Sequence, residues 1–409
     1  MFDSSFFAGN RERLRQLFTG TAPIVITANG LLQRASDESY PFQQDAGFWY
    51  LTGITEPDIV LVMDKDREYL IVPEREASRE AFDGAVDDQA VQRISGIATI
   101  LDQKEGWKQL GARLKKAKHA ATLAAPTAYI EPYGLYANPA RAALTQRMKD
   151  MNAGLELLDL RQHLSRMRMI KQPAELAALQ QAIDITIATL KEVTQPRQLA
   201  KYAFEYEVEA DLTRGFRRRG ARGHAFTPIV AGGARACTLH NVANEAALAS
   251  DELLTLDVGA DYGQYAADIT RTVSLNGKPS KRQRQVHEAV YEVQEYGFSL
   301  LKPGILIRDF EQDINQFMGE KLRELGLIKS ISADAVQRYF PHATSHFLGL
   351  NVHDAGDYER PLEPGVVMTV EPGMYIPEEG IGVRIEDDVL ITADGHQNLS
   401  AALPRTLAA

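Results

Sequence analysis

Two ionisable carboxylates stand on stretches that read as paired strands: Asp257 in the run Leu253 to Gly259, and Asp268 in the run Tyr265 to Thr272. With Tyr262-Gly263 as a two-residue loop, each lies five residues from the turn, so the two face each other. Like charges so placed repel, and the apolar Leu253, Leu254 and Leu256 beside Asp257 point to burial, where a lone carboxylate is expensive. A cation between them resolves the conflict; a solvent-facing edge carrying two unpaired acids avoids it. This stretch alone leaves both readings open.

Glu371 and Glu386 repeat the pattern around Pro377-Glu378-Glu379-Gly380. A two-residue loop at Glu378-Glu379 sets them opposite one another, although proline and glycine leave room for a longer loop or a bulge. Four carboxylates converging on one cavity would hold a charge that two divalent cations neutralise. Oxygen-rich ligation favours manganese or magnesium, and an added imidazole admits zinc, cobalt or iron. His346 and His353 are candidate donors, but their odd spacing sends them to opposite faces of a straight strand. Gly349 between them permits the necessary break. His240 is a further candidate, and each histidine taken alone reads as structural or surface. A paired metal site of this kind acidifies water and stabilises the oxyanion of a hydrolytic intermediate.

These residues need a scaffold. Ile24 to Thr27, Phe48 to Leu51, Ile59 to Met63 and Tyr69 to Val72 read as buried strands, the last two joined as a hairpin over Lys65-Asp66. Helical spacing is expected over Asn10 to Phe18, Lys104 to Lys118 and Pro139 to about Met151. The stretch Ser165 to Pro173 is a candidate boundary, giving an α/β domain over 1–165 and a second domain over 166–409. Helices are expected in the second domain over Ala174 to Val193, Leu199 to Arg219, Lys281 to Leu301 and Ile307 to Leu325. Beyond Tyr339 the chain reads as strand and turn. Two hairpins, each with an acid on both strands, suggest two similar halves meeting at a shared site.

Composition narrows the partners. The 409 residues are 44% hydrophobic and 24% charged, with a net charge of -10, which argues against nucleic acid or anionic membrane as the main partner. Arg217-Arg218-Arg219 reads as a cluster complementing a helix end. A single cysteine, Cys237, excludes an intrachain disulfide and fits a reducing compartment. No apolar run has the length of a signal peptide or a membrane span, so a cytoplasmic location is expected.

The segments Leu256-Asp257-Val258-Gly259, Tyr265 to Thr272, Ser345 to Asp354, Thr369 to Tyr375 and Arg384 to Asp388 together resemble the pita-bread metallopeptidases. The resemblance is closest to the aminopeptidase P group, which removes an N-terminal residue preceding proline. It extends to the N-terminal half through Tyr40-Pro41-Phe42 and Phe48 to Pro57. It implies a creatinase-like (RNase H-like) α/β N-terminal domain and an α+β pita-bread catalytic domain of two pseudo-symmetric halves. It also implies two divalent metal ions, usually manganese, with zinc or cobalt as alternatives. Asp257 would bind one ion, Asp268 and Glu386 would bridge both, and His346 with Glu371 would complete the other. Glu371 would also help activate water, His353 and His240 would contact substrate, and Arg384 would orient the carboxylates. The implied partners are peptides with proline second, and the implied assembly is a homodimer or homotetramer. The family more often has arginine at Gln43, glycine at Ala343 and glycine at Gln264. A prolidase-like dipeptidase is the nearest rival. A creatinase-like hydrolase lacks the full ligand set, and a non-catalytic peptide-binding module would have lost it.

Overall fold

The structure, a computed structural model, describes residues 2–74, 77–126 and 133–407. The chain divides into two compact units, Met1–Met167 and Arg168–Ala409.

In the first unit, Asp3 caps α1 (Ser4–Leu17), accepting from the backbone N–H groups of Ser5 and Phe6. The apolar runs form β1 (Ile24–Thr27), β2 (Val60–Met63) and β3 (Glu68–Ile71), the last two an antiparallel hairpin as expected. With β4 (Ile100–Leu101), β5 (His119–Thr122) and β6 (Glu156–Asp159) they make one six-stranded sheet, ordered β4-β3-β2-β1-β5-β6. β2 runs antiparallel to both neighbours, and the other pairings are parallel. One expected strand fails. Phe48 to Leu51 lies within a helix, α2 (Ala46–Thr52), started by Asp45, which accepts from Phe48 N–H at 2.9 Å. Gly53 closes the helix in the left-handed conformation. Every residue from Gly47 to Thr52 is buried, so no polar face marks the helical period. The helices α3 (Gln103–Leu114) and α4 (Ala140–Met151) lie where spacing and proline put them.

The second unit begins its first long helix, α5 (Pro173–Val193), with proline in the first turn. The helix expected from Leu199 is broken. After a short turn at Pro196–Leu199 the chain extends, Phe204 bridges Ala247, and α6 (Glu205–Arg218) starts only then. The helices α7 (Lys281–Leu300) and α8 (Ile307–Glu324) match expectation to within a residue. β7 (Ile229–Gly232), β8 (Leu253–Val258) and β11 (Ile269–Ser274) form one sheet, with β9 (Ala260–Tyr262) and β10 (Tyr265–Ala266) at the end of the hairpin. In the later part, β12 (Val367–Val370) pairs β15 (Asp387–Ile391), and β13 (Gly373–Ile376) pairs β14 (Ile381–Arg384). Two helices followed by a carboxylate-bearing hairpin therefore occur twice, each set on its own core. Leu190, Leu212, Phe216 and Leu256 belong to one, and Val290, Phe310, Ile314 and Val389 to the other.

The registers decide what the hairpins can present. In the first, Tyr262 pairs Tyr265, so the loop is Gly263-Gln264 and not Tyr262-Gly263. Both loop residues have positive φ, 61° and 73°, as a tight hairpin turn requires. Asp257 accordingly faces Thr270 and not Asp268. Displacing a turn by one residue moves every partner by two, which preserves the face. Asp268 stands two residues before Thr270 and so keeps the side that Asp257 occupies. Between them the strands close tightly: a Cβ on Gly259 would lie 1.6 Å from the Ala267 carbonyl oxygen. In the second hairpin the loop has four residues, Pro377 to Gly380, about the expected centre. Gly373 pairs Arg384 and Val370 pairs Asp387, which sets Glu371 against Glu386 as expected.

Candidate active site

The hairpins and the His346 to His353 turn meet in a cavity of about 620 Å³, which Asp257, Asp268, Glu371, Glu386, His346, His353, His240 and Arg384 all line. Asp268, His346 and Glu386 each offer a ligand atom, and these atoms lie within 4.8 Å of one another. His346 Nε2 is 3.4 Å from Asp268 Oδ2 and 3.3 Å from Glu371 Oε1. On the other side of that ring, Nδ1 is 3.1 Å from the Phe347 carbonyl, which can only accept. Nδ1 therefore donates its hydrogen, and Nε2 faces two carboxylates. In a neutral ring Nε2 presents a lone pair to those acids, a contact that a metal cation between the groups relieves.

The carboxylates make the same demand. Burial, with repulsion from Asp257 and Glu371, pushes Asp268 well above the usual carboxylate range. Burial and the charges of Asp268 and Glu371 do the same to Glu386, and burial also raises Glu371. Asp257 Oδ1 and Asp268 Oδ1 are buried without a hydrogen-bond partner among the described residues. Arg384 supplies one positive charge against four acids. A divalent cation fits this donor set, because it would satisfy the orphaned oxygens and the imidazole lone pair together.

Arg384 does more than balance charge. Its Nη2 donates to Asp257 Oδ2 at 2.5 Å, its Nη1 to the Tyr375 hydroxyl at 2.8 Å and its Nε to Thr270 Oγ1 at 3.2 Å. Thr270 Oγ1 in turn donates to Glu386 Oε2 at 2.6 Å. One guanidinium thus sets the orientation of ligand-type acids from both hairpins. Tyr375 passes its own hydrogen to His342 Nε2 at 2.8 Å, while His342 Nδ1 faces the Ala343 carbonyl at 2.8 Å. Burial, with the Arg384 charge, pushes His342 down to about 3, so this imidazole stays neutral.

His342, Tyr375 and Thr270 are contributors that the sequence left without a role. Thr270 had a signal, since it shares a strand face with Asp268. His342 had none, because its spacing to His346 shows nothing of its bond to Tyr375. His353 reaches the cavity as Gly349 allows, its ring 4.2 Å from that of His346. His240 opens onto the same cavity. Phe226, Val242, Val352 and Tyr358 form the apolar part of the wall.

Residues 177–393 match metallopeptidase family M24, and residues 7–123 match the aminopeptidase P N-terminal domain. The chain is 34% identical to a Xaa-Pro aminopeptidase of Haemophilus influenzae, over 92% of this chain and 89% of that protein. It is 33% identical to the Xaa-Pro aminopeptidase of Escherichia coli, over 97% of this chain and 94% of that protein. Among solved structures it resembles proline aminopeptidase P II from Yersinia pestis, with TM-score 0.86, 31% identity, and coverage of 98% and 97% of the two chains. The low-pH form of E. coli aminopeptidase P gives TM-score 0.87 at 30% identity, covering 99% of this chain and 97% of that one.

Proposed function

Since the chain belongs to metallopeptidase family M24 and carries the aminopeptidase P N-terminal domain, we infer that it is a metal-dependent Xaa-Pro aminopeptidase. It hydrolyses the peptide bond between an N-terminal residue and a following proline. The observation that carries this reading is His346, whose Nε2 sits between the Asp268 and Glu371 carboxylates in a cavity that also holds the orphaned oxygens of Asp257 and Asp268.

Asp257, Asp268, His346, Glu371 and Glu386 would hold two divalent ions, with manganese as our choice and zinc or cobalt as alternatives. Such ions, when bound, lower the pKa of water and stabilise developing oxyanion charge. The chain's own groups do the rest. Glu371 is placed to accept a proton, its carboxyl being raised above the usual carboxylate range by burial. His353, which burial holds at about 4, is neutral at physiological pH and offers hydrogen bonds without charge. His353 and His240 contact the substrate, and Arg384 fixes Asp257. Proline brings no amide hydrogen, so its ring must be held by apolar contact, which the Phe226, Val242 and Tyr358 wall supplies.

Retention of all five ligand-type side chains speaks against a non-catalytic binding module. The relatives are named Xaa-Pro aminopeptidases, so the dipeptidase alternative is not favoured. No described helix is long and apolar enough to cross a membrane. We place the enzyme in the cytoplasm as a homodimer or homotetramer, with domains at 1–165 and 166–409. The substrate assignment is tested with peptides of increasing length bearing proline second. Cleavage of tripeptides and longer peptides is expected; cleavage of the dipeptide alone would make the protein a prolidase.

A further inference from the structure

His353 faces the cavity, but the residue beside it faces away into a buried ion cluster. The Asp354 carboxylate is 1% exposed, Lys171 is 0% and Arg168 is 7%. Arg168 Nη2 donates to Asp354 Oδ1, and Lys171 Nζ lies 3.4 Å from Oδ2. Lys171 Nζ also donates to the Arg168 carbonyl at 2.8 Å, and Asn351 N–H donates to Asp354 Oδ1 at 3.3 Å. The turn is held at both ends: Asp354 N–H bonds the Phe347 carbonyl at 2.8 Å, and Ala266 N–H bonds the Gly349 carbonyl at 2.8 Å. Gly349 is part of the same device. A Cβ there would lie 2.1 Å from Asp354 Oδ2 and 3.1 Å from Lys171 Nζ, so only glycine lets the carboxylate tuck under its own turn.

A buried ion cluster of this kind is a poor source of stability, because desolvation offsets most of the attraction. Its geometry is nevertheless strict, since two cations and a backbone N–H fix one carboxylate at the base of the turn. That turn converts the odd spacing of His346 and His353 into a shared cavity. We propose that Asp354, clamped by Arg168 and Lys171, is a positioning residue that aims His353 at the substrate. Arg168 and Lys171 precede α5, so the segment that opens the second unit becomes part of the active-site support. The proposal rests on the reading that His353 contacts substrate.

The test is a cycle of four metal-loaded proteins: wild type, Asp354→Asn, His353→Ala and the double variant, assayed on a tripeptide with proline second. Asp354→Asn should lower kcat roughly ten- to hundredfold, the scale on which misplacing a catalytic group acts, with bound metal unchanged. The double variant should be no slower than His353→Ala alone, because an absent imidazole cannot be misaimed. Losses that multiply in the double variant would overturn the positioning role while leaving that of His353 intact. Full turnover in His353→Ala would remove the role of His353 and the proposal with it. Should Asp354→Asn not fold, Lys171→Met, which keeps the Arg168–Asp354 pair, enters the same cycle with a smaller expected loss.

Discussion

His346 carries the most information of any single side chain. With Nδ1 committed to the Phe347 carbonyl, its other nitrogen faces the carboxylates of Asp268 and Glu371. Asp268 is the acid most exposed to this conflict, being buried, partly orphaned and repelled by Asp257 and Glu371. Asp268→Asn removes one carboxylate charge from the cavity; metal affinity and turnover should each fall at least roughly a hundredfold, measured by metal analysis after dialysis and by peptide assay. Arg384 makes a separate case. Its three nitrogens serve Asp257, Tyr375 and Thr270 at once, a fork that an ammonium cannot reproduce. Arg384→Lys should keep the charge yet weaken metal binding about 10- to 100-fold; unchanged affinity would show that charge alone matters there.

Elements were readable where a periodic or polar signal survived. β1, β2, β3, α3 and α5 stand where apolar runs and proline put them. The buried helix α2 gave no such signal, because the same residues would suit an interior strand. In the first hairpin the turn was misplaced by one residue, yet Asp257 and Asp268 still share a face because pleating depends only on parity. The missing clue was Gln264, a residue ill-suited to its φ of 73°. Gln264→Gly should stabilise the protein by about 0.5–1 kcal/mol, seen as a raised melting temperature; a lowered one would assign more to the hydrogen bond that Gln264 Oε1 accepts from Arg222 Nη1. In α7, burial and the Arg271 charge hold His287 down to about 4. Below its unfolded pKa of about 6.5 the unfolded chain takes up a proton that the folded chain refuses, so stability is full above that pH and declines below it. Between pH 7 and 5 the wild type should lose about 2 kcal/mol more than His287→Gln in urea unfolding; equal slopes would contradict the shift.

The whole molecule unites what separate segments only suggest. Five ligand-type residues spread from Asp257 to Glu386 were legible as types, because metal chemistry restricts the choice of side chain. Their support was not: the bonds of Thr270 to both Arg384 and Glu386 cross between halves, and that of His342 to Tyr375 joins a loop to a strand within one half, at separations no spacing rule reaches. The repeated helix–helix–hairpin plan explains why acids from distant segments converge, since each half brings one hairpin to the common cavity. The central claim is that this cavity cleaves Xaa-Pro bonds only when it holds divalent metal. The most direct measurement removes metal with a chelator, then returns manganese stepwise, with metal content and tripeptide cleavage measured on the same sample. Loss of activity, and its return as two equivalents bind, is the predicted result. Full activity in metal-free protein would contradict the account.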